Sequence, residues 1–331
     1  MTSALRPLRL ALCAALLLAP SARAWDDVGH EVVSQLAWQQ MTPAAREMAA
    51  ELLLAAPADA RLRQLQPATG SEEEQARILF LRASTWPDKV RDEPLRSLYH
   101  QGTWHYINYF WEVGWLTGRV SDRPDMVPPS PNIVEVLERL SKQLAAPKRP
   151  PAEKAIDLAW VLHLMGDIQQ PLHCSARVTF REGRGDRGGN DFALRPPPAD
   201  NLHAYWDRIL STSYPRAQGE TEDAQVRRIA DELLQRYPPA ALSAELDAGD
   251  YDGWARAGFA TAKAVVYPPS LKRDSRPSES YRKQALETSG RAVALGGYRL
   301  AALLNELFAP EEDENAADPA TCGCDAPGTG G

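Results

Sequence analysis

Apolar side chains recur at helical spacing over most of this chain. The pattern predicts helices from about 29 to 40 and 43 to 54, with Thr42-Pro43 as cap and first-turn signal of the second. Further helices are expected around 71–86, 131–146, 152–168, 203–211, 222–236, 250–266 and 278–308. Strand-like alternation is scarce, and the one tempting segment, Val178 to Phe180, is short. Two stretches rich in turn formers, 121–131 and 181–200, read as loops rather than domain linkers, because helical patterns resume at once. No internal repeat is visible. The expectation is an all-α fold in a single domain from 25 to 309, followed by an acidic, then Gly/Pro/Ala-rich disordered tail over 310–331.

The first 24 residues read as a cleavable export signal. Arg6 and Arg9 precede an apolar run from Leu10 to Ala19, and Ala22-Arg23-Ala24 supplies the small residues that signal peptidase needs. A run of that length is about half of the roughly 20 residues required to cross a bilayer. The expected mature chain begins at Trp25 and is periplasmic or secreted, with no membrane span and no obligatory protein partner evident. Without the leader, 34 basic residues face 44 acidic ones, a net charge of −10. An acidic chain is poorly suited to gripping nucleic acid through a basic face, so positive charge for phosphates would have to come from bound metal. Three cysteines survive cleavage, Cys174, Cys322 and Cys324, too few and too unevenly placed for a disulfide framework.

The chain has six histidines: His30, His100, His105, His163, His173 and His203. His163 and Asp167 stand four apart on a strong helix pattern, and His203 and Asp207 repeat that spacing, which puts each pair on one helix face. His173 follows Pro171, just past the end of the first of these helices. Imidazole and carboxylate are zinc's usual ligands where Cys is absent. One such pair alone reads more simply as a helix-surface contact. Two pairs in apolar sequence point elsewhere, because His and Asp turned into a helical core are costly unless paired or metal-bound. Cleavage after Ala24 would also free an α-amine on Trp25. With a pKa of about 8, such an amine can deprotonate and chelate zinc together with its own carbonyl oxygen.

The segments Trp25-x4-His30, Trp86-Pro87-Asp88, Trp104-His105-Tyr106-Ile107-Asn108, His163-x3-Asp167-x5-His173, Gly188-Gly189-Asn190-Asp191 and His203-x3-Asp207 occur in that order. Together they resemble the zinc-dependent single-strand nucleases, also called bifunctional nucleases or 3′-nucleotidases, of the zinc phospholipase C superfamily. The resemblance implies a mostly helical domain with a trinuclear zinc cleft. It implies that Asp88, His105, His163 and Asp167 hold one zinc, and that the amine and carbonyl of Trp25, with His30 and again Asp167, hold its neighbour. His173, His203 and Asp207 would hold a third. It assigns Asp88 and Arg91 to catalysis, Arg91 steadying charge that develops on phosphorus, and Tyr106, Asn190 and Asp191 to the nucleobase. The implied activity is hydrolysis of single-stranded DNA and RNA to 5′-phosphate products, together with release of phosphate from 3′-nucleotides.

Each role has a plainer alternative. Arg91 could be a solvated surface arginine. Tyr106 could pack into the core, since Trp104, Tyr109, Phe110, Trp111 and Trp115 crowd the same segment. His100 competes with His105 as a ligand. Cys174, beside His173, reads as a plain buried thiol. The disulfides of fungal and plant relatives have no cysteines here to form them. A zinc phospholipase C and a non-catalytic zinc-binding protein remain the alternative functions.

Overall fold

The computed structural model describes residues 25–114, 116–246 and 249–309; the expected leader (1–24) and tail (310–331) lie outside the described residues. The chain opens with helices α1 (Asp27–Gln40), α2 (Pro43–Leu54) and α3 (Glu72–Ala83). Asp26 and Thr42 accept the first backbone N–H groups of α1 and α2, and Pro43 fills the first turn of α2 as expected. Two short helices follow, α4 (Trp86–Lys89) and α5 (Leu95–Tyr99). Strands β1 (Tyr109–Val113) and β2 (Val120–Asp122) then lead to α6 (Ile133–Ala145), opened by an Asn132–Glu135 capping box, and to α7 (Pro151–Asp167).

Past α7 come β3 (Ser175–Val178), α8 (Leu202–Asp207), α9 (Ile209–Ser213), α10 (Glu222–Arg236), α11 (Pro239–Leu242), α12 (Tyr251–Thr261) and the 29-residue α13 (Glu279–Leu307).

The reason for this layout lies in α7. Every residue from Asp157 to Asp167 is buried, so the helix is apolar on all sides and becomes the axis of the domain. Helices α2, α6 and α13 pack around it, and α13 also runs along α1. The α1–α13 contact is close because Gly297 has no side chain: a Cβ there would stand 2.5 Å from that of Leu36.

The fold is mostly helical, as expected, but it carries a three-stranded sheet in the order β2-β1-β3. Strand β1 pairs antiparallel with β2 and parallel with β3, Tyr109 opposite Ser175 and Glu112 opposite Val178. The expected strand signal at Val178–Phe180 marks the tail of β3, whereas Phe180 itself is fully exposed. Strand β1 escapes a reading of periodicity because its run Tyr-Phe-Trp does not alternate. The helix expected over 203–211 is broken at Arg208 into α8 and α9, and that over 250–266 ends in a π-helical turn, Ala262–Val266. Among the described residues no helix is long and apolar enough to cross a membrane.

Candidate metal centre

The C-terminal turn of α7 presents His163 and Asp167 from the middle of the core, both with no solvent exposure. Residues distant in sequence converge on them. His30 comes from the first turn of α1, and its Nε2 stands 3.3 Å from Asp167 Oδ1. His105 ends a 3-10 turn, Gly102–His105, and its Nδ1 stands 3.0 Å from Asp167 Oδ2. His163 Nε2 lies 3.2 Å from that same oxygen and 3.9 Å from Asp88 Oδ1 on α4. The rings of His30 and His163 stack with centroids 4.0 Å apart. His173 and His203 face each other at 4.9 Å, and His203 Nε2 is 3.6 Å from Asp207 Oδ2.

Three groups emerge: His30 with Asp88 and His163, His105 with His163 and Asp167, and His173 with His203 and Asp207. In each, the possible ligand atoms lie within 4.8 Å of one another.

Backbone carbonyls fix the tautomers of three of these imidazoles. Nδ1 of His163 donates to Ser84 O (2.7 Å), that of His173 to His105 O (2.5 Å) and that of His203 to Gly188 O (2.6 Å). A carbonyl can only accept, so the proton sits on Nδ1 and the Nε2 lone pair is left to face the cluster, as in metal-bound histidines. Gln170 Nε2 likewise donates to Asp207 Oδ1 at 2.7 Å and orients that carboxylate. Both ring nitrogens of His30, Nε2 of His105, Nε2 of His173 and Oδ1 of Asp167 are buried and make no hydrogen bond to the described residues. Buried polar atoms in that condition are costly unless something binds them. A neutral imidazole and carboxylate set of this kind fits divalent metal ions of the zinc type.

The charge states of His30, His105 and Asp167 agree with that fit. Burial holds His30 below the ordinary histidine range and holds His105 down to about 4, so both stay neutral and ready to ligate. Burial pushes Asp167 upward, but the surrounding histidines outweigh it and keep the carboxyl well below its usual range. His163 shows the converse balance: burial lowers it, and Asp167 with Asp88 raises it further. Asp207 is raised well above the usual carboxylate range by burial, a cost that a bound cation would relieve.

Two of the three clusters reach a cleft of about 240 Å³ through His105, His173 and His203, and Arg91, His100, Tyr106, Asn108, Arg187 and Asn190 line it with them. Arg91 is not a solvated surface arginine: it lies in the cleft wall with its guanidinium donating to Asp88. Tyr106 is half-buried and lines the cleft, while Trp104 packs on Trp160 in the core. His100 lines the cleft but belongs to none of the three groups; His105 does. Trp25 is fully buried, its indole Nε1 donating to the carbonyl of Gly166, the residue before Asp167 on α7, at 2.9 Å. The next residue, Asp26, donates its N–H to Asp207 O at 3.0 Å, which ties the start of the described chain to α8. Cys174 is a buried thiol, its Sγ donating to Ile168 O at 3.4 Å, and burial raises its pKa.

The Gly188-Gly189 turn adopts positive φ (61° and 82°), and a Cβ on Gly188 would come within 2.3 Å of Leu172 O, so only glycine fits. Buried Asp186 anchors this turn, accepting from Gly189 N (3.2 Å), Arg177 N (2.9 Å) and Tyr267 Oη (2.8 Å). Asn190 reaches the cleft. Asp191 does not line it; its carboxylate is held by Arg187, with Nη2 to Oδ1 at 2.7 Å. Asp186, Tyr267 and Arg187 are components that sequence reading missed, although Asp186-Arg187 immediately precedes a motif that it picked out.

Comparison with known proteins agrees with this arrangement. The model of the S1/P1 Nuclease family matches residues 25–309. Endonuclease 2 of Arabidopsis thaliana is 27% identical over 306 residues, covering 88% of this chain and 93% of the relative. Endonuclease 1 of the same plant is 28% identical over 167 residues, 46% of this chain and 50% of the relative. Of the three functions the sequence left open, nuclease is therefore the one that stands, ahead of a phospholipase or a zinc store. With three buried His/Asp groups and a family match across the described domain, this chain belongs to the S1/P1 nuclease family and is a metal-dependent enzyme that hydrolyses phosphodiester bonds.

Proposed function

We propose that the chain is an exported endonuclease that uses three zinc ions to cleave single-stranded DNA and RNA to 5′-phosphate products, with 3′-nucleotidase activity besides. What supports this reading is the set of buried ligand atoms on His30, His105, Asp167 and His173 that make no hydrogen bond among the described residues, with His105 and His173 lining the cleft. Asp88, His105, His163 and Asp167 would hold one ion. The amine and carbonyl of Trp25, His30 and Asp167 would hold the second, and His173, His203 and Asp207 the third. When bound, zinc ions supply Lewis acidity toward the phosphate and bring the pKa of water to about 7.

The chain's own residues do the rest. Arg91, kept in orientation by Asp88, extends N–H donors toward the position a scissile phosphate would take, and such donors act most strongly where charge develops. Tyr106 offers a ring face for base stacking, worth about 1–3 kcal/mol and tolerant of sequence. Asn190 offers amide groups to a base edge. None of the residues lining the cleft is acidic, in a chain whose net charge is −7. A base must leave its stack to meet the residues that line the cleft, and a duplex keeps its bases stacked out of reach. Export rests on the Arg6–Ala24 signal pattern.

The test is to secrete the full chain from a bacterial host, sequence its N-terminus, count its metals and assay it on circular single-stranded and linear duplex DNA. The expected result is a start at Trp25, three zincs, cleavage of the single strand well ahead of duplex, and 5′-phosphate ends. Equal rates on both DNAs, or full activity after prolonged chelation, would refute the proposal.

A further inference from the structure

We propose that Arg187 is a specificity-determining residue that grips a phosphate next to the scissile one, so that the enzyme favours a polynucleotide over a single-phosphate substrate. This rests on the single-strand nuclease reading above. Two arginines line the cleft. Arg91 is engaged with Asp88 at the metal-ligand end. Arg187 also lines the cleft, on the loop that carries Asn190, and is exposed to solvent.

The loop holds Arg187 in a set position. Its backbone takes a left-handed φ of 52°, its carbonyl accepts from Asn190 Nδ2 at 2.8 Å, and buried Asp186 fixes the flanking turn. The guanidinium has five N–H donors. Nε (3.1 Å to Oδ2) and one N–H of Nη2 (2.7 Å to Oδ1) go to Asp191. Among the described residues the other three donors, two of them on Nη1, have no hydrogen-bond partner and are left for an anion. The planar fork suits phosphate oxygens, and the pairing with Asp191 keeps the side chain extended in advance. An exposed pair of this kind stabilises the fold little, so its value lies in orienting the cation. In an acidic chain, a cation at this point also offsets the repulsion that an incoming strand would otherwise meet.

The experiment compares wild type, Arg187→Ala and Arg187→Lys on a single-stranded thymidylate 20-mer and on bis(4-nitrophenyl) phosphate, a diester with no neighbouring phosphate. For Arg187→Ala, KM for the 20-mer is expected to rise about tenfold with kcat changed less than about twofold. The slope of log(kcat/KM) against log[NaCl] should fall in magnitude by about 0.7, the share of one phosphate contact on a single strand. The preference for 20-mer over small diester should drop about tenfold as well. Arg187→Lys keeps the charge and should keep the salt slope while losing part of the affinity. Equal losses on both substrates would mean that Arg187 only holds the loop, and an unchanged salt slope would mean that it stacks on a base; either overturns the proposal. Wild type that cleaves duplex as fast as the 20-mer would instead sink the single-strand reading, an outcome separate from anything the Arg187 variants show.

Discussion

Replacing Gly166 with alanine tests the metal-centre reading more sharply than replacing a ligand. Gly166 sits in the last turn of α7, one residue before Asp167. A Cβ there would lie 2.9 Å from His30 Nδ1 and 3.2 Å from its Cε1. Ordinary contact begins near 3.4 Å, so His30 must retreat by roughly 0.5 Å. Zinc–nitrogen bonds hold to about 2.0–2.1 Å with a tolerance of about 0.2 Å, so a shift of that size breaks the coordination. Two energetic effects compete. Alanine favours the helix interior over glycine by about 1 kcal/mol, and overpacking a full core costs about 1–3 kcal/mol. The net cost should be about 0–2 kcal/mol, a fall in Tm of a few degrees at most by the usual scaling. The variant should therefore fold, yet lose the metal that His30 holds and about 10–100-fold in turnover. Metal analysis after dialysis in zinc-buffered solution, together with kcat on single-stranded DNA, reads both. A variant with full metal content and more than half of wild-type turnover would refute the claim that His30 is a ligand held against α7. If Gly166 mattered only through helix propensity, the variant would be more stable and fully active.

Three further outcomes follow from the same geometry. Arg91→Ala should keep its metals, because Asp88 still faces His163, while kcat falls by about 10²–10³; unchanged turnover would remove Arg91 from the chemistry. A protein left with one extra residue before Trp25, whose nitrogen then sits in a peptide bond, should bind one zinc fewer and lose at least about tenfold in activity. Full zinc stoichiometry in that protein would exclude the amine as a ligand. The third concerns Glu74 on α3, which accepts from Arg77 and from Arg227 of α10 (2.9 and 2.5 Å) and is held down to about 2 by those hydrogen bonds. A depressed carboxyl stabilises the fold above its unfolded pKa and ceases to do so as pH falls from about 4.5 toward 2. Since Glu74 is about a third exposed, screening limits its contribution to about 1 kcal/mol. Glu74→Gln should thus lower the urea midpoint at pH 7 and converge on wild type toward pH 2; a gap that stays constant with pH would contradict the assignment.

Much of this protein was legible in its residues alone. Helix periodicity is a local property, so α1, α2, α6, α7, α10 and α13 could be read from spacing, as could the fact that His163 shares a face with Asp167 and His203 with Asp207. Burial of charged side chains in apolar runs pointed to metal for the same local reason. What the chain could not disclose by itself is which faces meet. His105 and His173 come together because β1 pairs with β3 across 66 residues (Tyr109 to Ser175), Ile107 N donating to His173 O at 2.9 Å, and β1 carries no alternation to announce that pairing. Packing sets Asp191 beside Arg187, and of the two it is Arg187 that lines the cleft. Asp186 and Tyr267, 81 positions apart, became the brace of that loop only once α12 and its π-turn packed against the Pro171–His173 turn. Spacing along a helix fixes neighbours three and four residues away, whereas a cleft is made by contacts between segments whose mutual placement depends on how the whole core closes around α7.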